Sequence, residues 1–239
     1  MNCINHDQIN AAMQQGYEYA MNNDSISACN EWRDVWNAIV SSMDSGNYAT
    51  VEDFDEVFGG LQSVFNWASD YELELINAIE EDASFAKERL SFCKEYFDRA
   101  SDKGAQNSLN MRAAIADSYI RLGMTENGEK LFIDLITEYP TWGWGWIKWS
   151  DAYSFNAVDR DYGKSLEILK EALEVDGIDE IYVIKERLQE IYEDCGMHEE
   201  ANAIVFDVRD YGVPLSEISS ITDTLKNKLE AFINDLFGS

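Results

Sequence analysis

Two stretches decide the fold: Tyr119-Ile120-Arg121-Leu122-Gly123-Met124-Thr125-Glu126 and Tyr192-Glu193-Asp194-Cys195-Gly196-Met197-His198-Glu199, 73 residues apart. Each carries an aromatic residue, a glycine four positions on and an acid three beyond the glycine. A glycine there suits the left-handed residue that ends a helix, and the polar residues after it suit the first turn of the next. The pattern continues past the turn. From Tyr119 the chain meets Gly128, Phe132, Leu135 and Pro140 at +9, +13, +16 and +21. From Tyr192 it meets Ala201, Val205 and Val208, and from Tyr19 it meets Ala28, Trp32 and Val35, at the same first three intervals. A fourth unit starts at Tyr153 and reaches Ser165, Leu169 and Ala172 after a three-residue insertion near Asp159-Arg160-Asp161. The small residue at +9 predicts close approach of a second helix, and the large one at +13 fills the gap beside it.

Outside these units apolar residues also recur at spacings of three and four, and strict alternation is scarce, so the chain is read as all-α. Turn signals arrive at Asn22-Asn23-Asp24, Asp44 to Asn47, Asp102-Lys103-Gly104, Gly123, Pro140, Asp176-Gly177, Gly196 and Gly212 to Pro214. Only 2 prolines occur in 239 residues, which leaves helices free to form almost everywhere. Trp146, Trp149 and Tyr153 fall at i, i+3 and i+7, one helix face, and are expected in the core.

This ruler resembles the tetratricopeptide repeat (TPR), whose helix pairs follow a Trp/Leu-Gly/Tyr…Ala/Phe…Ala…Pro pattern. The resemblance implies a right-handed α-solenoid of four to five helical hairpins in one continuous domain, 1–239. Its repeats would lie at about 5–43, 50–100, 106–140, 141–177 and 179–214, with residues 216–237 as a C-terminal capping helix. Residues 50–100 fit through Ala86, Leu90 and Cys93 at the second-helix spacing. A weaker likeness joins Pro140 to Tyr153 with the aromatic segment of helical-repeat regions in bacterial proteins that carry the SEC-C zinc motif. That motif needs clustered Cys and His, and Lys226 to Ser239 hold neither, so no zinc function is carried over.

In TPR-like stacks the first helix of each pair lines a concave groove. Carrying those positions over gives a partner-binding set of Asp117, Arg121, Trp144, Asp151, Phe155, Glu186, Glu190, Glu193 and Asp194. Grooves of this family that clamp acidic tails use Lys, Asn and Arg where Ala113, Asp117, Ile147 and Asp151 stand here. An acidic ligand is therefore not expected. Carboxylates beside Trp144 and Phe155 suit a Lys- or Arg-bearing or aromatic-containing protein segment, held by ion pairs and cation–π contact.

Composition sets the limits. Lys+Arg total 18 against 46 Asp+Glu, a formal charge of −28, with 46% hydrophobic and 13% aromatic residues. That is too apolar for an acidic disordered tail and too acidic for direct contact with phosphate backbones. The residues from Met1 to Gln14 have no secretory pattern and no apolar run spans a membrane, so a soluble cytoplasmic protein is expected. Cys3, Cys29, Cys93 and Cys195 are too scattered for a metal motif and are expected to be buried thiols. His6 and His198 stand alone, and Asp159-Arg160-Asp161-Tyr162-Gly163 fails as a calcium loop because Lys170 holds its twelfth position. With no phosphate loop, nucleophile elbow or dinucleotide fingerprint, neither a cofactor nor enzymatic chemistry is expected. The function expected is a non-enzymatic interaction module. An acidic mimic of nucleic acid and a cryptic enzyme are the alternatives.

Overall fold

The computed structural model describes residues 6–155, 160–207 and 210. The expected capping helix at 216–237, together with Val208 and Pro214, lies outside them. Contacts divide the chain into two compact units, Met1–Glu138 and Tyr139–Ser239. The first holds α1 (His6–Met21), α2 (Ser25–Gly46), α3 (Val51–Phe58), α4 (Val64–Glu81), α5 (Phe85–Arg99), α6 (Gln106–Arg121) and α7 (Thr125–Glu138). The second holds α8 (Gly143–Asp151), α9 (Tyr162–Leu173), α10 (Ile181–Asp194) and α11 (His198–Ala203). No strand occurs among the described residues.

The repeated Tyr motif is a helix end. In all three copies the tyrosine carbonyl accepts the N–H five residues on: Asp24 to Tyr19 at 3.0 Å, Met124 to Tyr119 at 2.9 Å and Met197 to Tyr192 at 2.8 Å. A second bond, from Asn23 to Ala20, Gly123 to Ile120 and Gly196 to Glu193, completes the Schellman closure. The closing residue is left-handed each time, with φ of +57° at Asn23, +75° at Gly123 and +71° at Gly196. Starts are capped as local chemistry requires. The Asp24, Ser63 and Asp161 side chains accept from Ser27, Asn66 and Lys164 backbone N–H groups, and Thr50 and Asp53 form a capping box on α3.

Consecutive helices pack as neighbours. In the first unit α1 packs on α2, α2 on α4, α4 on α5, α5 on α6 and α6 on α7, and α4 also reaches α6. In the second, α8 packs on α9, α9 on α10 and α10 on α11, and α8 also reaches α10. The ruler's +9 and +13 residues sit at these joints: Ala28, Trp32, Phe132, Ser165 and Leu169 are fully buried. Gly128 is needed, because a Cβ there would stand 2.5 Å from the Ala116 carbonyl oxygen. Gly16 plays the same part on α1, where a Cβ would fall 2.0 Å from Nε1 of Trp32, the nitrogen that donates to the Met13 carbonyl at 3.0 Å.

The core of the first unit is aromatic. Trp32 stands edge-on to Trp67 and Tyr71, Trp36 stacks on Trp67 and meets Phe92 edge-on, and Tyr71 and Phe92 lie 4.5 Å apart. Burying one such side chain contributes roughly 1.5–3 kcal/mol. Segment 50–100 departs from a plain hairpin: α3 precedes the α4/α5 pair, and the turn at Asp82 to Ser84 lacks the glycine closure. In the last unit α11 ends at Ala203, so Val205, expected to fill a core gap, is 75% exposed.

Candidate functional site

The surface that collects most of the expected groove residues belongs to α8 and α10 of the second unit. The start of α8 is built by backbone contact. Asp179 N–H donates to the Thr141 carbonyl at 2.8 Å, and a Cβ on Gly143 would meet the Asp179 carbonyl oxygen at 2.2 Å. Trp146 donates from Nε1 to the Pro140 carbonyl at 3.0 Å, and Trp146 and Trp149 are buried at a ring separation of 6.2 Å, as the i, i+3 spacing predicts. Ser150 and Ser165 share a hydroxyl hydrogen bond of 2.5 Å that joins α8 to α9. This packing leaves Trp144 36% exposed at the start of α8 and Phe155 38% exposed after its end. Trp142 and Ile147 are buried.

Glu180 sits against the α8 N-terminus in a left-handed conformation, φ +54°. Burial and the neighbouring Asp179 raise its pKa, while the backbone amides of Gly143 and Trp144 pull the other way.

Beside Phe155 the site is organised by Arg187, which the sequence reading did not select. Its guanidinium lies over the Phe155 ring, 4.3 Å from the centroid. Its Nε stands 3.0 Å from Asp151 Oδ1, and its Nη1 donates to Glu190 at 2.9 Å. Asp151, Phe155 and Glu190 are thus brought together around a cation of the chain itself. Glu186 is not in this group: Tyr182 donates to it, and Tyr182 packs on Phe206. The face of α10 turned toward α8 therefore carries Arg187 and Glu190 rather than Glu186. Periodicity alone fixes such a face only to within one residue. Glu193 and Asp194 are exposed at the end of α10, and Tyr162 donates weakly to Asp194 at 3.4 Å.

Asp117 and Arg121, also expected on the groove, correct that expectation. Asp117 is 3% exposed, inside an ionic network of the first unit. Arg89 on α5, 2% exposed, donates from Nε to Glu72 of α4 at 2.7 Å and from Nη1 to Asp117 of α6. Arg121 donates to the same Asp117 oxygen at 3.2 Å and reaches Glu80 at 3.6 Å. Burial works against the Arg89 charge, and Glu72 and Asp117 outweigh it, holding its pKa above the ordinary value. These charges tie three helices together and are not presented to a partner. Arg89 is the residue the sequence reading missed, because nothing local marks an arginine in an amphipathic helix as buried.

A groove of about 420 Å³ runs between α2 and α5, over Trp36, Tyr71 and Phe92. Its carboxylates are engaged: Glu88 accepts from Tyr71 at 2.7 Å and from Arg33, and Glu95 accepts from Trp36 Nε1 at 2.9 Å. Burial and then Glu88 push the Tyr71 phenol and the Cys29 thiol upward. Cys29 and Cys93 are buried, while Cys195, expected to be buried, is exposed in the turn after α10. His6 packs its ring against Phe54 and Phe58. Among the described residues no group of His, Cys, Asp and Glu is placed to hold a metal ion, and no helix is long and apolar enough to cross a membrane.

Set against protein-family models, curated proteins and solved structures, the chain matches none.

Proposed function

We propose that the chain is a non-enzymatic helical-repeat interaction module that binds a basic or aromatic-containing protein segment on the α8/α10 surface. In this reading each unit is a short TPR-like right-handed run of hairpins. What supports that architecture is the contact of first helices across a hairpin, α4 with α6 and α8 with α10, besides the contacts between consecutive helices. The observation that carries the binding role is the surface itself. Trp144 and Phe155 are exposed at the start and beyond the end of α8, and α10 carries the carboxylates Glu190, Glu193 and Asp194, in a chain of net charge −28. Low charge density on a partner would not be steered to such a face, whereas Lys and Arg side chains gain both ion pairs and ring contacts there.

The test is binding of a labelled Lys/Arg-rich peptide to the full chain at 50 and 500 mM salt. Affinity should fall with salt. It should fall further when Glu193 and Asp194 are changed to Gln and Asn, or Trp144 to Ala, while the helical circular dichroism is kept. Capture that ignores both salt and these substitutions refutes the role.

A further inference from the structure

We propose that α8 and α10 form an arginine-reading box that the chain keeps occupied with its own Arg187, and that a partner binds by inserting an arginine in its place. This rests on the reading of that surface as a basic-segment site and names the residue it recognises. The box has the three parts guanidinium recognition requires. A ring face comes from Phe155, 4.3 Å from the guanidinium carbon. One carboxylate, Asp151, lies 3.0 Å from Nε, and a second, Glu190, accepts from Nη1 at 2.9 Å. A planar, delocalised cation can stack and pair sideways at once, which the compact ammonium of lysine cannot. The same preference recurs nearby. Arg160 lies over the Tyr162 ring at 5.9 Å and donates to its hydroxyl at 2.8 Å, and that hydroxyl in turn faces Asp194. Both described arginines of this unit are thus seated on a ring next to an acid.

Arg187 is placed to leave. Its side chain is one-quarter exposed although Nε is buried against Asp151, and its other partner, Glu190, is exposed. Phe155, 38% exposed, stands at the rim of the box. An incoming arginine gains what Arg187 gives up, so the resident side chain lowers apparent affinity by the fraction of time it occupies the box. An occupancy of roughly nine-tenths would weaken binding about tenfold.

The experiment titrates the full chain with a seven-residue peptide of three arginines alternating with glycines, and with its lysine counterpart. Arg187→Gln empties the box. Arg187→Lys keeps the charge, so it separates exchange from a change in net field. Both variants should bind the arginine peptide more tightly than the unaltered chain, by about tenfold for R187Q, and the lysine peptide much less so. Adding Phe155→Leu, which keeps apolar bulk without the ring, should abolish the preference for arginine. The box is refuted if folded R187Q and R187K bind the arginine peptide no better than the unaltered chain, or improve both peptides equally. If both peptides still bind alike, with salt dependence and sensitivity to Glu193 and Asp194, the basic-segment site stands and only the arginine box falls. Binding of neither peptide to any variant removes both.

Discussion

Arg89→Met puts the buried ionic network to its sharpest test. The substitution keeps a long apolar stem in a site where the arginine is 2% exposed, so packing changes little. What changes is charge. Glu72 and Asp117, both buried, lose the cation between them, and only Asp117 keeps another, Arg121 at 3.2 Å. Removing one partner from a buried ion network destabilises by about 3–5 kcal/mol, because the stranded charge stays out of water. Replacing all members together with apolar residues removes the stranded charge too, so R89M/E72L/D117L should be far closer to the original stability than R89M alone. The pH response adds a second signature. Stranded carboxylates bind protons on folding, so the R89M deficit should shrink as pH falls from 7 to 5. Urea denaturation followed by circular dichroism, at both pH values, measures all of this. A loss under about 1 kcal/mol for R89M at pH 7, with no pH dependence, would mean that water already reaches the site and that the network does not hold α4, α5 and α6 together.

Gly128→Ala installs the residue usual at this repeat position, yet should destabilise by about 1–3 kcal/mol in urea, because the new Cβ meets the Ala116 carbonyl at 2.5 Å. Gly16→Ala should cost at least as much and shift tryptophan emission, since its Cβ would displace the Trp32 indole. Glu180→Gly should raise the melting temperature. It relieves a left-handed non-glycine residue, worth about 1 kcal/mol, and a carboxyl whose raised pKa means that its ionisation opposes folding as pH climbs past the ordinary carboxylate range. At alkaline pH the phenols take over. Burial pushes Tyr96 up to about 12, so the folded chain holds that proton longer than the unfolded one and stability should fall as pH rises from 10 toward 12. Tyr96→Phe should lessen that fall in a pH series of urea melts, leaving the part due to Tyr71 and Tyr17.

What could be read from the residues was local. The Tyr19, Tyr119 and Tyr192 motifs mark helix ends because a left-handed Gly or Asn is a property of a few consecutive residues, and all three closures are found. The buried ruler residues Trp32, Phe132 and Leu169 follow for the same reason, as does the split between buried Trp146 and exposed Trp144. What could not be read depends on partners distant in sequence. Asp117 lies 28 residues from Arg89, and Asp151 lies 36 from Arg187. A charged residue in an amphipathic helix has the same local pattern whether it meets water or a buried counter-charge. Arg187 rather than its neighbour Glu186 meets Asp151 and Phe155, a difference of one position that turns the face by about 100°. Val205 was misplaced because the ruler assumes a full second helix, and α11 stops after six residues.

The aromatic core of the first unit has a spectroscopic consequence. Trp67 lies 6.2 Å from Trp32 and 6.4 Å from Trp36, one pair crossed at 86° and the other nearly parallel at 25°. At such separations the indole transition dipoles couple and excitation hops among them before emission. The trio should therefore glow as one chromophore with an exciton couplet in the near ultraviolet, and loosening either α2, which carries Trp32 and Trp36, or α4, which carries Trp67, should darken that couplet.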